Sequence, residues 1–144
     1  MRIAVDTNLL VYAEGEGDEP RCKQAQALFA RLPPAEVLLP VQVLGELYNV
    51  LTRRFRRGAD RTRSAVLEWA SLYAVRDSTW TALRTAMELN SAHEMPIWDA
   101  LILSVASEHR CRVLMSEDLQ HGFTWGGVTI VNPLLDPAHP LLAV

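Results

Sequence analysis

Four acidic residues occupy positions from which their side chains could act together: Asp6, Glu46, Asp99 and Asp118. Asp6 directly follows the apolar run 3–5, and Asp118 comes shortly after a second apolar run, 112–115. If both runs are strands of a parallel sheet, their carboxyl ends lie at one edge, where α/β proteins bind ligands. Taken alone, Asp6 fits equally well as the residue that caps the following helix.

Glu46 and Asp99 are predicted to lie on helices. Glu46 falls beside the apolar face of a helix predicted over 40–57 and has no basic residue three or four positions away with which to pair. Asp99 falls in the first turn of a helix predicted over 97–109, where the helix dipole stabilises an acid. A purely structural role for Asp99 therefore stays open.

Four carboxylates held close together are expected to bind a cation. They raise one another's pKa, and burial adds a desolvation cost, whereas a bound ion removes both penalties. Oxygen donors with no nearby cysteine or histidine favour Mg²⁺ or Mn²⁺. Such a site can activate water and neutralise the charge of a phosphoryl transition state.

The remaining pattern predicts a single α/β domain that could hold these acids. Apolar runs at 3–5, 36–39, 112–115 and 128–131 predict strands, and 73–75 is a weaker candidate. Helices are predicted between them, at 9–14, 21–31, 40–57, 60–72, 78–90 and 97–109. Alternation of this kind predicts a parallel sheet covered by helices on both faces. We expect the tail, 134–144, to be extended and either to pack on the domain or to contact a partner.

The net charge of −3 argues weakly against a nucleic-acid partner, but its distribution matters more. The segment 53–63 carries six arginines and one aspartate. Arg53 and Arg57 would return to the side of the predicted helix that carries Glu46, where they could bind a polyanion. The alternative is a solvated helix end favoured by the dipole. The chain has neither an apolar run long enough to span a membrane nor a signal-peptide pattern, so we expect a cytoplasmic protein.

Four short motifs occur in the order seen in PIN-domain ribonucleases, and the chain resembles that family over residues 1–133. The motifs are Val5-Asp6-Thr7-Asn8, Val43-Leu44-Gly45-Glu46-Leu47, Trp98-Asp99-Ala100-Leu101-Ile102 and Ser116-Glu117-Asp118-Leu119. The short length is similar to the VapC-type toxins of toxin–antitoxin pairs. The resemblance implies a three-layer α/β/α fold with a central parallel sheet of four or five strands.

The same resemblance implies a site and an activity. Asp6, Glu46, Asp99 and Asp118 would hold Mg²⁺ or Mn²⁺ for the hydrolysis of RNA to 5′-phosphate and 3′-hydroxyl ends. Residues equivalent to Asn8 and Ser116 would support the site through hydrogen bonds.

The resemblance also implies partners. They are an RNA substrate, a cognate antitoxin bound beside the long helix, and a second copy in a homodimer. The helical spacing, and not the resemblance, suggests that the RNA backbone follows Arg53 and Arg57. Two alternatives remain: a PIN fold kept as an RNA-binding or regulatory module, and a receiver-like or phosphatase-like Mg²⁺ domain. The last normally places a lysine near the phosphate, and Lys23 is the only lysine of the chain.

Overall fold

Six strands form one sheet in the computed structural model, which describes residues 2–143. The strands are β1 (Arg2–Val5), β2 (Val37–Pro40), β3 (Ala74–Arg76), β4 (Cys111–Met115), β5 (Thr124–Trp125) and β6 (Val128–Val131). Their order is β3-β2-β1-β4-β6-β5. Every neighbouring pair is parallel except β5–β6, which is antiparallel.

Six helices flank this sheet, as the alternating pattern predicts. They are α1 (Thr7–Ala13), α2 (Glu19–Arg31), α3 (Val41–Arg53), α4 (Ala59–Leu72), α5 (Trp80–His93) and α6 (Ile97–Glu108). Helix α1 packs against α2 and α3, α3 packs against α4, and α5 packs against α6. None of the helices among residues 2–143 is long and apolar enough to cross a membrane.

The strand order creates a switch point between β1 and β4. From β1 the sheet extends through β2 to β3 on one side and through β4 to β6 on the other. Connections therefore leave the carboxyl ends of β1 and β4 in opposite directions, which opens a crevice between them. The Asp6 amide donates to the Met115 carbonyl at 2.9 Å and fixes the chain at this opening.

The predicted parallel sheet is confirmed in its five-strand form, with one addition. The doubtful segment 73–75 forms β3, shifted by one residue. The two-residue strand β5 was not predicted. It pairs with β6, and Gly126 and Gly127 form the turn between the two strands. Their φ angles of 57° and 80° are those that a tight hairpin turn requires.

The predicted long helix 40–57 is wrong at its carboxyl end. Helix α3 ends at Arg53, and Arg56 adopts a left-handed φ of 57° that no helix can contain. The Arg57 amide then donates to the Leu51 carbonyl at 3.0 Å, which closes the helix end. Gly58 immediately precedes α4 as its cap residue.

The apolar pattern correctly predicts the most buried elements. All residues 100–106 of α6 are buried, and so are Ile3, Ala4 and Val5 of β1. The tail packs on the domain: Leu142 joins the core with 4% of its surface exposed, and the His139 side chain accepts a hydrogen bond from the Leu141 amide. Residues 140–142 form a 3₁₀ turn, so the tail is not fully extended.

Candidate active site

Asp6 caps helix α1 and also lies at the crevice between β1 and β4. As the cap of α1 it accepts a hydrogen bond from the Thr7 amide at 2.7 Å, and its second oxygen accepts one from the Ser116 hydroxyl at 2.8 Å. Its exposed fraction is 6%. Burial raises the pKa of Asp6, and the two hydrogen bonds act against that rise. The carboxylates of Glu46 and Asp118 add to the rise, so both lie within electrostatic reach of Asp6.

Asp118 lies across the crevice from Asp6. It follows β4, and one of its oxygens accepts a hydrogen bond from the Asn8 side-chain amide at 2.6 Å. Burial and then the adjacent Glu117 raise the pKa of Asp118, while Asn8 lowers it. The predicted supporting residues Asn8 and Ser116 therefore each hold one acid, and each bond links the segment after β1 to the segment after β4.

Glu46 reaches the crevice from α3. The Thr7 hydroxyl donates to one of its oxygens, and the Gln42 side-chain amide donates to the other at 2.7 Å. The same amide also donates to the Trp98 carbonyl at 3.2 Å, which ties α3 to the start of α6. Neither Thr7 nor Gln42 was predicted to be a site residue, although Thr7 belongs to the first motif. Gln42 stands one helical turn before Glu46, and that spacing could have indicated its role.

Asp99 completes the group from the first turn of α6. Its pKa is raised to about 6, first by burial and then by the charges of Asp6, Glu46 and Asp118. No hydrogen-bond donor to its carboxylate is found within residues 2–143. Asp6, Glu46 and Asp118 therefore all lie within electrostatic reach of Asp99.

No arginine or lysine of the described chain forms an ion pair with any of these four carboxylates. Glu117 differs from them: the Arg21 guanidinium lies 3.3 Å from one of its oxygens. The pKa of the nearby Tyr12 is raised to about 12, first by burial and then by its interaction with Glu117. The four uncompensated acids are therefore a distinct cluster, and Glu117 belongs to the neighbouring surface.

The two arginines predicted to bind RNA have different environments. Arg53, the last residue of α3, is exposed. Arg57 is a correction: its side chain is only 4% exposed and forms ion pairs with Glu14 and Glu16. Burial alone would lower the pKa of Arg57, but the hydrogen bonds to these acids raise it. Because Arg57 lies beyond the end of α3, the helical spacing that placed it near Glu46 does not apply.

Comparison with known proteins decides the family. A model of the PIN domain matches residues 3–122 of the chain. The chain belongs to the PIN domain family. Comparison with curated protein sequences returned no match.

Solved structures support the assignment of this PIN domain. The toxin VapC20 of Mycobacterium tuberculosis, described as cleaving the Sarcin–Ricin loop, is 25% identical, with a TM-score of 0.67 over 81% of this chain and 89% of that one. A toxin–antitoxin complex from Klebsiella pneumoniae is 19% identical, with a TM-score of 0.68 over 91% and 97%. VapBC2 of Rickettsia felis, solved on a promoter DNA fragment, is 17% identical, with a TM-score of 0.64 over 90% and 97%. The last two, which are less than 25% identical, show only that the fold is shared.

Proposed function

We propose that this PIN domain is a divalent-metal-dependent endoribonuclease and the toxin of a toxin–antitoxin pair. The observation that carries the proposal is the cluster of Asp6, Glu46, Asp99 and Asp118, which has no cationic partner among residues 2–143. The similarity of the chain to the VapC20 toxin supports the same proposal.

The donor set fits a hard divalent cation. It consists of carboxylate oxygens alone, which Mg²⁺ and Mn²⁺ prefer. Burial is the main cause of the raised pKa of Asp99 and of Asp6, and the neighbouring carboxylates, whose charge an ion would neutralise, add to it. When bound, the ion would supply charge neutralisation at phosphorus and a water of lowered pKa.

The side chains around the acids fix their orientation. Ser116 and the Thr7 amide hold the two oxygens of Asp6, and Asn8 holds Asp118. These hydrogen bonds fix part of the orientation of the acids before an ion binds. No three of the four acids offer oxygens within 4.8 Å of one another among residues 2–143, so an ion would have to draw the side chains closer. Asp99 is the exception, since its oxygens remain available as ligands.

The alternative of a receiver-like or phosphatase-like domain finds no support in this arrangement. Lys23 lies on α2, is 75% exposed and pairs with Glu19, so it does not supply the lysine that such a site normally has.

The test is cleavage of a long single-stranded RNA by the purified chain with Mn²⁺, with Mg²⁺ and in EDTA. We expect cleavage only with metal, and products that can be labelled at the 5′ end only after phosphatase treatment. Asp6→Asn should abolish cleavage while the chain stays folded, and Asp77→Asn, at an exposed position, is the matched control. Full activity of Asp6→Asn, or cleavage in EDTA, would overturn the proposal.

The proposed partners are an antitoxin bound in the groove beside α3 and a second copy of the chain. The Klebsiella pneumoniae relative was solved as a toxin–antitoxin complex. A small DNA-binding protein encoded immediately upstream is the expected antitoxin, and it should compete with RNA for the groove. A ternary complex with undiminished RNA affinity would rule out that competition, and a monomer at micromolar concentration in light scattering would remove the dimer.

A further inference from the structure

A groove of about 480 Å³ opens beside the acidic cluster. It is lined by Gln42, Gly45, Glu46, Asn49, Ser78 and Trp98. Glu46 belongs to both the groove and the cluster, and Trp98 immediately precedes Asp99. Whatever occupies the groove therefore lies next to any phosphodiester bound at the acids.

Trp98 is the unusual member of this lining. It is 59% exposed, although tryptophan is a residue that folding normally buries to a large extent. No aromatic partner stacks on it within residues 2–143, whereas Trp69 packs against Phe29 and Tyr73. Its backbone is fixed, because the Gln42 amide holds its carbonyl. The result is an aromatic surface at a defined position with its ring open to the groove.

The other groups around the groove suit a nucleobase. Gln42, Asn49 and Ser78 are neutral amides and a hydroxyl, which can hydrogen-bond to a base edge but would not compensate a phosphate charge. Gly45 is exposed in the middle of α3, and a Cβ built there would meet nothing within 4 Å. A glycine inside a helix costs about 1 kcal/mol relative to alanine, so leaving this space empty has an energetic cost.

We propose that Trp98 stacks on an unpaired base of the RNA next to the phosphodiester held at the acidic cluster. This inference rests on the proposed function and adds to it a residue that positions the RNA at the site. A planar base can cover the ring from its open side, and a paired base, whose faces are already stacked, cannot. RNA is favoured over a peptide because the groove continues into the acids, where the proposed divalent ion would hold a phosphodiester of the same strand.

The first test measures binding by fluorescence anisotropy in Mn²⁺ on an Asp118→Asn background, which prevents cleavage. The probes are a labelled ten-nucleotide oligoadenosine and a ten-unit abasic strand with the same backbone. Stacking on an aromatic side chain is worth about 1–3 kcal/mol per base, so Trp98→Leu should weaken oligoadenosine binding by about 5- to 150-fold. It should leave binding of the abasic strand unchanged, and Trp98→Phe should restore most of the loss.

Two further variants separate stacking from general effects. Trp80→Leu is the matched control, since Trp80 is 67% exposed but does not line the groove. It should bind both strands normally. Gly45→Met adds a side chain to the groove and leaves Trp98 in place. It should raise the melting temperature slightly, because methionine favours the helix more than glycine does, and it should lose affinity for oligoadenosine.

The outcomes distinguish this inference from the proposed function. Equal losses for both strands, or no loss in Trp98→Leu, would overturn base stacking and leave the groove to a protein partner. Failure of the unsubstituted chain to cleave any RNA with metal would contradict the nuclease, while the comparison of the two strands would still decide the stacking.

Discussion

Asp99→Asn offers the sharpest test of the acidic cluster, because the two roles open to this residue predict opposite signs. A helix-start acid stabilises α6 through the dipole, by about 0.3–1 kcal/mol, so its removal would destabilise the protein. A carboxylate packed among other carboxylates instead destabilises the folded protein when it is ionised. In the metal-free protein its ionisation opposes folding, and the neutral amide should stabilise the fold.

The magnitude follows from the pKa. Burial and the charges of Asp6, Glu46 and Asp118 raise the pKa of Asp99 from 3.8 to about 6. That difference corresponds to about 3 kcal/mol of stability lost on ionisation. Because the side chain is partly exposed, solvent screening reduces this to about 1–2 kcal/mol. The folded-state pKa is the higher one, so the loss begins near pH 4, grows as the pH rises and is complete above about pH 6.

The assay is thermal and urea unfolding in EDTA at about pH 4 and about pH 7.5. At the higher pH Asp99→Asn should raise the free energy of unfolding by about 1–2 kcal/mol, and the melting temperature by about 3–6 °C. At the lower pH most of the gain should vanish. In Mn²⁺ the order should reverse, because the unsubstituted chain gains stability from the ion and the variant has lost a ligand.

Asp77→Asn, at an exposed position outside the cluster, is the control and should change little at either pH. If Asp99→Asn destabilises the metal-free protein at both values, the dipole interaction dominates. The reasoning from crowded carboxylates would then be refuted for this residue.

Three further predictions follow from the neighbouring contacts. Arg57→Ala should lower the free energy of unfolding by about 3–5 kcal/mol, because it leaves Glu14 partly buried and unpaired, and urea unfolding would measure the loss. Arg53→Ala should leave stability unchanged and reduce the slope of log affinity for RNA against log salt by about one, and an unchanged slope would assign Arg53 to the solvated helix end. Ser116→Ala should raise the pKa of Asp6 further, since it removes a hydrogen bond to the carboxylate, and should weaken Mn²⁺ binding in calorimetry more strongly at pH 6 than at pH 8.

Patterns local in sequence predicted the elements that carry the acids. Strand β1 and helix α6 are buried almost throughout, so their uninterrupted apolar runs were sufficient. The order of the strands then places Asp6 and Asp118 at one edge. The sequence also has a local signal for β5, because the pair Gly126-Gly127 is typical of the hairpin turn that joins β5 to β6. The strand was missed because two residues are too few for any periodicity.

The parts that could not be predicted depend on contacts distant in sequence. Helix α3 ends early where Arg57 turns inward to Glu14 and Glu16, more than forty residues before it. The residues 53–63 themselves do not reveal these partners, so Arg57 was predicted to lie on the same helix face as Arg53. The contact of Thr7 with Glu46 was equally hidden, because it exists only once α1 packs against α3.

The two outer strands limit how this protein can assemble. Strand β3 has three residues and β5 has two, so each border of the sheet exposes only a short row of backbone donors and acceptors. A second chain would gain few hydrogen bonds by adding a strand there, and short borders of this kind protect a sheet from joining to others. Association between copies would then rely on side chains rather than on strand pairing, and the growth of continuous sheets between molecules, which precedes fibril formation, is disfavoured.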